Sequence, residues 1–443
     1  MFRRNRTNWL PFTLAVLAAS SAWAQQAPQS PPGGVSTPAL APAAPAAGVS
    51  LPTTLKQAFN AAWLRQPEAQ SRQARQDAAA ARKQAAGSWT AEPAALELST
   101  QTDRLNRNQG GREFVAGIAI PLWLPGERLR TGAVADAELR AAASRVLAAQ
   151  LRTAASVREA YWLWQRALLD HDLARERLIN AQQLAADVAK RVQAGDLARA
   201  DQHQADGAVA SAEAGLADAV SALAGAAHQL RALMGAAPVP GAAAAPDAAD
   251  VPEPVPEIPS DAVALDVRHP AVAELLDRAE VARRSAELAQ LQTRANPELT
   301  VATTRERGIF GEPYQQSITL GIRVPFGSDS RNRAKLSTAQ ADAIEAEGQL
   351  RLERERLQAE ADAARVRLES ARTQLNAVDK RWQLARESRS FFQKSFRMGE
   401  TDLSTRLRIE FEAIEAERQA ARSRIDLAAA VSALRQALGL LPD

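Results

Sequence analysis

The chain is written twice. An offset of 204 residues carries Pro93 onto Pro297, Pro121 onto Pro325, Gly195 onto Gly399, Arg231 onto Arg435 and Gly235 onto Gly439, while Pro67 and Pro270 stand 203 apart. The order of elements repeats with the residues. Each half reads as a helix, a pair of short alternating strands, a very long helix, a glycine-marked break and a returning helix. Tandem copies of so long a unit, within 443 residues, point to an elongated molecule and not to one small core.

The strands restrict the fold further. After Pro93, Leu96, Leu98 and Thr100 alternate with Glu97, Ser99 and Gln101. Beyond the polar loop Asp103 to Arg112, one face carries Phe114, Ala116, Ile118, Ile120 and Leu122, and the other Val115, Gly117 and Ala119. The second half repeats the pattern with Leu299, Val301 and Thr303, then Ile318, Leu320, Ile322, Val324 and Phe326 against Ser317, Thr319, Gly321 and Arg323. Such alternation over about ten residues suits a tilted strand crossing a bilayer. Four strands cannot close alone, because open edges in hydrocarbon leave unpaired backbone groups. Single-chain barrels begin at about eight strands, so several chains must pool theirs, and periodicity does not choose between two and three. Two hairpins lying on a soluble helical bundle would show the same alternation. Aromatic placement speaks for the membrane: Trp89, Trp123 and Phe326 sit at the strand ends next to the helices, and Phe310, Tyr314 and Phe114 toward the loops, as two interfacial girdles would.

From about Arg128 to Gln193 nothing interrupts the helical pattern, which makes a rod on the order of 100 Å long. Composition favours it. Hydrophobic residues are 46% of the chain with alanine prominent, aromatics are 5%, and Arg, Glu, Gln and Leu fill much of the rest. Leu357, Ala361, Ala364, Leu368, Ala371, Leu375, Val378, Trp382, Ala385, Arg389, Phe392 and Phe396 follow a 4-3 spacing, echoed by Leu178, Ala181, Ala185, Val188 and Val192. This is coiled-coil packing, with alanine on the seam allowing close approach. The long helices end at Arg191-Val192-Gln193-Ala194-Gly195-Asp196 and Phe396-Arg397-Met398-Gly399-Glu400-Thr401. Glycine supplies the left-handed cap there, and the acidic residues that follow suit the next helix start. Helix-turn chemistry accounts for both motifs by itself.

The ends and joints are simpler. Arg3, Arg4 and Arg6 precede an apolar run from Leu10 to Ala19, and Ala22-Trp23-Ala24 supplies a cleavage site, so residues 1–24 read as a signal peptide. Residues 25–53 are a Pro/Ala-rich tether, 54–236 the first repeat, 237–260 a Pro/Ala-rich linker and 261–440 the second repeat. With no cysteine there is no disulfide and no cysteine-borne lipid anchor. The net charge of +3 is interspersed, which argues against nucleic acid. His171, His203, His228 and His269 lie far apart, and methionine occurs only at 1, 234 and 398, so neither a metal site nor a thioether path is expected. No phosphate loop, dinucleotide fingerprint or nucleophile elbow is present, and no enzyme or cofactor is expected. Arg104, Arg107, Arg112, Arg305 and Arg307 in and near the strand loops fit either a solvated loop or contact with lipopolysaccharide phosphates.

Across residues 54–440 the sequence resembles the TolC family of outer-membrane efflux channels. Tandem halves, strand pairs after a proline, the strand exits Ile120-Pro121-Leu122 and Val324-Pro325-Phe326, and the glycine turns carry the resemblance. Gly195 with Asp201 is similar to a family motif, whereas Thr405 stands where the second half would have that Asp. Phe396 to Glu400 and Arg331-Asn332-Arg333 look more like the heavy-metal, cobalt-zinc-cadmium branch. The resemblance implies a mainly α fold with a small membrane β-barrel. Three tandem-repeat protomers would contribute four strands each to one outer-membrane barrel, continued by a long periplasmic α-helical coiled-coil barrel. It also implies a location in the outer membrane of a Gram-negative bacterium, a periplasmic adaptor meeting the turns at Arg191, Gly195, Arg397 and Gly399, and an inner-membrane pump of the resistance-nodulation-division type. Asp196, Asp201, Glu400 and Asp402 would ring the entrance and favour cations. A periplasmic coiled-coil adaptor without a pore, or an exit duct for type I secretion, are the competing readings. Cargo, whether metal cation or drug, is not legible.

Overall fold

A computed structural model describes residues 54–106, 108–235, 253–257, 268–327 and 329–443. The expected leader and tether, Arg107 and most of the inter-repeat linker lie outside them. Within them the first repeat comprises α1 (Leu55–Arg65), α2 (Pro67–Ala86), β1 (Ala95–Thr102), β2 (Arg112–Pro121), α3 (Glu127–Ala194) and α4 (Arg199–Met234). The second comprises α5 (Pro270–Leu291), β3 (Glu298–Arg307), β4 (Gln315–Arg323), α6 (Asp329–Arg397) and α7 (Leu403–Ala437).

Two expectations need correction. The single helix expected from Thr54 to about Ser88 is divided at Gln66, because Pro67 at the first position of α2 has no N–H to give and pushes its predecessor to an extended conformation, ψ 136°. The second and fourth strands end at Pro121 and Arg323, so Leu122, Val324 and Phe326 lie beyond them.

The long helices form as read. α3 has 68 residues and α6 has 69, each packed against a returning helix about half as long, α3 against α4 with 36 residues and α6 against α7 with 35. α5 lies against both α3 and α6, and so joins the repeats. The seam is real: Leu357, Ala361, Ala364, Leu368 and Phe396 are buried, whereas intervening Val366 and Leu384 are exposed. The largest core gathers Leu55, Ala58 and Phe59 of α1, Val157, Tyr161 and Trp164 of α3, and Leu223, Leu230 and Met234 of α4. Burial of α1 there, starting from a capping box in which Thr54 and Gln57 exchange hydrogen bonds, explains why so short a helix is stable.

The four strands form one antiparallel sheet in the order β1-β2-β3-β4. The central pair joins the repeats, with Ile118 opposite Val301 and Gly117 opposite Ala302. Glycine is required at 117, since a Cβ there would stand 2.9 Å from the Ala302 Cβ. β1 and β4 are paired on one side only.

Candidate functional site

Register decides what each face of the sheet presents. Leu96, Ile118, Val301 and Leu320 are mutual cross-strand neighbours, as are Ile120, Leu299 and Ile322. One face is therefore an apolar stripe. It is also open: Leu98 is 71% exposed and Leu320 72%. The opposite face carries Glu97, Ser99, Thr300, Thr304, Ser317 and Thr319, with Gly117 and Ala119 sheltered among them. A sheet apolar on one face, polar on the other and unpaired at both edges has the character of a segment of membrane barrel wall.

The six aromatic residues fall at the two ends of this sheet and are not equivalent. Trp89 and Phe326 are 94% and 95% exposed next to the helices. Trp123 is half-buried and donates its indole N–H to the Ser88 carbonyl at 3.2 Å, tying the strand exit to the end of α2. At the loop end Phe114 and Phe310 are exposed, and Tyr314 lies under Arg305 and Arg307, 4.8 and 5.0 Å from its ring centre.

At the opposite end of the rods, Gly195 and Gly399 take φ of 86° and 80°. Each reversal closes by the same backbone bond: Asp196 N–H donates to the Arg191 carbonyl at 2.9 Å and Glu400 N–H to the Ser395 carbonyl at 3.0 Å. Asp201, in the first turn of α4, accepts from Ala198 N–H at 3.0 Å. Asp402 instead caps α7 from the residue just before it, accepting from Thr405 N–H and from the Ser404 hydroxyl. The Ser404 and Thr405 bonds favour the carboxylate and bring the Asp402 pKa down to about 2. Two of the four acidic candidates are thus engaged as caps, while Asp196 and Glu400 keep exposed side chains.

The structure also assembles a cluster that the sequence reading did not. Phe396 of α6 is 2% exposed within a cluster that also holds Leu184, Val188, Ala205 and Leu403, so four helices contribute to it. Arg191 and Arg406 both stack on its ring at 4.6 Å. Burial pushes the Arg406 guanidinium below its ordinary value, and Arg191 and Arg397 push the same way against Glu410 and Asp187. The turns are therefore of mixed charge. Leu184 and Arg406 stand apart from the predicted motifs, and only the contact between hairpins reveals them.

A second unpredicted cluster lies where the repeats meet. Arg158 of α3 reaches Glu253 of the linker at 2.9 Å, Arg435 of α7 approaches the same oxygen at 3.2 Å, and the three side chains are only 4–6% exposed. Arg158 also donates to Ser432, Gln436 and the Leu440 carbonyl, and Arg435 donates to the Pro254 carbonyl. Burial lowers the Arg158 pKa, with Glu253 opposing. Nearby His269 is buried at the start of α5, where its Nδ1 accepts from Ala271 N–H at 3.3 Å and burial pushes its pKa down. No group of His, Asp or Glu among the described residues is arranged to hold a metal ion, and no described helix is long and apolar enough to cross a membrane.

Comparison with known proteins agrees with this geometry. The family model described as outer membrane efflux protein matches residues 58–236, the first repeat. No curated protein matches the sequence. Among solved structures, CusC, described through its folding and transmembrane channel formation, superposes with a TM-score of 0.72 at 18% identity, covering 87% of this chain and 92% of its own. The outer membrane protein VceC of Vibrio cholerae gives 0.67 at 20% identity, covering 87% and 96%. The MtrE outer membrane channel of Neisseria gonorrhoeae, in its open state, gives 0.68 at 17% identity, covering 87% and 89%. The first repeat is thus similar in sequence to outer membrane efflux proteins, and nearly all the described length shares the fold of the solved channels.

Proposed function

We propose that three copies of this chain form the outer-membrane exit channel of a tripartite efflux system. The observation that carries the reading is the four-stranded sheet, apolar on one face and unpaired at both edges. In hydrocarbon that arrangement requires further copies to close the ring. Rods on the order of 100 Å continue from it into the periplasm. There the turns at Arg191, Gly195, Arg397 and Gly399 would meet an adaptor linked to an inner-membrane pump of the resistance-nodulation-division type. The pump would supply both energy and choice of cargo, metal cations or drugs. Residues 1–24 would direct export, 25–53 would tether the mature chain, and 237–260 would connect the repeats.

Asp196 and Glu400 are the carboxylates free to line the entrance, whereas Asp201 and Asp402 act mainly as caps. Purified protein should have three times the protomer mass in detergent and conduct in planar bilayers. Replacing Asp196 by Asn and Glu400 by Gln together should lower the preference for cations without unfolding the turns. A soluble monomer that needs no detergent would end the channel reading, and unchanged selectivity would reduce those two carboxylates to surface charge.

A further inference from the structure

We propose that the membrane-facing side of the sheet, at its loop end, holds the phosphate of an outer-leaflet glycolipid headgroup through Arg112, Arg305 and Arg307. The inference rests on the outer-membrane reading above, and adds a bound lipid to it. Pairing sets Arg112 directly opposite Arg307 and Arg305 directly opposite Phe114. Strand alternation therefore puts all three cations on the face that carries Ile118, Val301 and Leu320, immediately beyond the apolar stripe.

Like charges directly across a ladder oppose strand pairing. Among the described residues none of the three arginines has an ion-pair partner. The carboxylates at this end point to the other face, where Glu113 lies opposite Glu306. Those of the adjoining loops are already engaged, Asp103 with Gln109 N–H at 2.7 Å and Glu312 with Ile309 N–H at 3.3 Å. Positive charge is thus collected outward and negative charge inward within one short stretch of wall.

Two of the three guanidinium groups, those of Arg305 and Arg307, are also held in place. Arg305 lies 4.8 Å from the Tyr314 ring centre, and Arg307 is 5.0 Å from the same ring and 5.6 Å from that of Phe310. Arg307 spends its Nε–H on the Gly110 carbonyl at 3.2 Å, which leaves its terminal N–H groups to a ligand. Planar forks fixed by stacking suit a phosphate, which accepts two parallel hydrogen bonds from each. Continuity with the apolar stripe selects the source. A ligand that joins phosphate to acyl chains fills both surfaces at once, and free phosphate fills only one.

The test uses the full-length mature protein in detergent, with native mass spectrometry to count retained lipid. Wild type should retain diphosphorylated lipid A in preference to its dephosphorylated form. Arg112→Gln, Arg305→Gln and Arg307→Gln together should weaken that retention about a hundredfold, roughly fivefold for each charge. Should the triple variant fail to fold, Arg305→Gln alone, whose side chain makes no ladder or loop hydrogen bond, should still show roughly a fivefold loss. Equal retention of the two lipids by wild type overturns the proposal, and so does displacement of lipid A by an equal concentration of inorganic phosphate. Conductance in glycolipid-free bilayers is measured in parallel: its absence would defeat the channel reading, whereas intact conductance with no phosphate preference defeats only the lipid site.

Discussion

The turn at Gly195 and its copy at Gly399 have the same backbone and different side chains. Each uses a glycine at positive φ and the same closing hydrogen bond. Yet the first turn pairs Ala198 with Asp201, and the second, 204 residues on, pairs Asp402 with Thr405. Each therefore keeps a different half of one capping box. Val192 in the first is answered by Phe396 in the second, and Phe396 is fully buried in the cluster between the two hairpins whereas Val192 is only partly buried against it. The same departure occurs where the repeats join. Buried Arg158 corresponds to Asp362, which lies on the surface beside Arg365, and buried Arg435 corresponds to exposed Arg231. A repeat conserves what the local backbone needs, and is free to diverge wherever one copy must contact the other.

The largest break in this symmetry is expected at the linker. Glu253→Ala would leave two buried guanidinium groups facing each other, a loss of about 3–5 kcal/mol. Asp362→Ala, at the surface, should stay within about 0.5 kcal/mol. Denaturant midpoints of the detergent-solubilised protein compare the two, and similar shifts would mean that the buried cluster contributes nothing special. At the turns, Phe396→Ala should cost about 3–4 kcal/mol and Val192→Ala about 1 kcal/mol, read by hydrogen exchange over residues 184–205 and 391–407. A larger effect from Val192 would reverse the assignment of the bridge.

The smallest effect concerns acid. Because the Asp402 pKa is about 2 in the fold against an ordinary 3.8, its cap is fully present above the ordinary value and is lost as pH falls toward 2. Protection of the Thr405 amide, taken against its intrinsic exchange rate at each pH, should therefore fall through that window, and constant protection from pH 5 to 2 would remove the carboxylate from the cap.

Much of this was legible in residue order, because it depends on local rules. Strand alternation, the 4-3 spacing of α6 and the glycine reversals follow from backbone geometry and side-chain period, so the two-copy plan and its elements could be read directly. The division of the first helix at Gln66 was missed although Pro67 marked it, since an extended residue between two helices leaves the surrounding helical pattern intact. Periodicity identified the polar and apolar faces of each strand. That β2 pairs with β3, joining the halves in one sheet and setting Arg112 beside Arg307, depended on the tertiary structure.

The sequence by itself determined a tandem, mainly helical chain whose strands cannot close alone, since periodicity and backbone hydrogen bonding act over a few residues. Only the tertiary structure decided which of the paired positions are buried. Arg158, Glu253 and Arg435 come from three segments far apart in the chain, and their solvation depends on what packs over them. Desolvation is a property of place, and no local pattern encodes it.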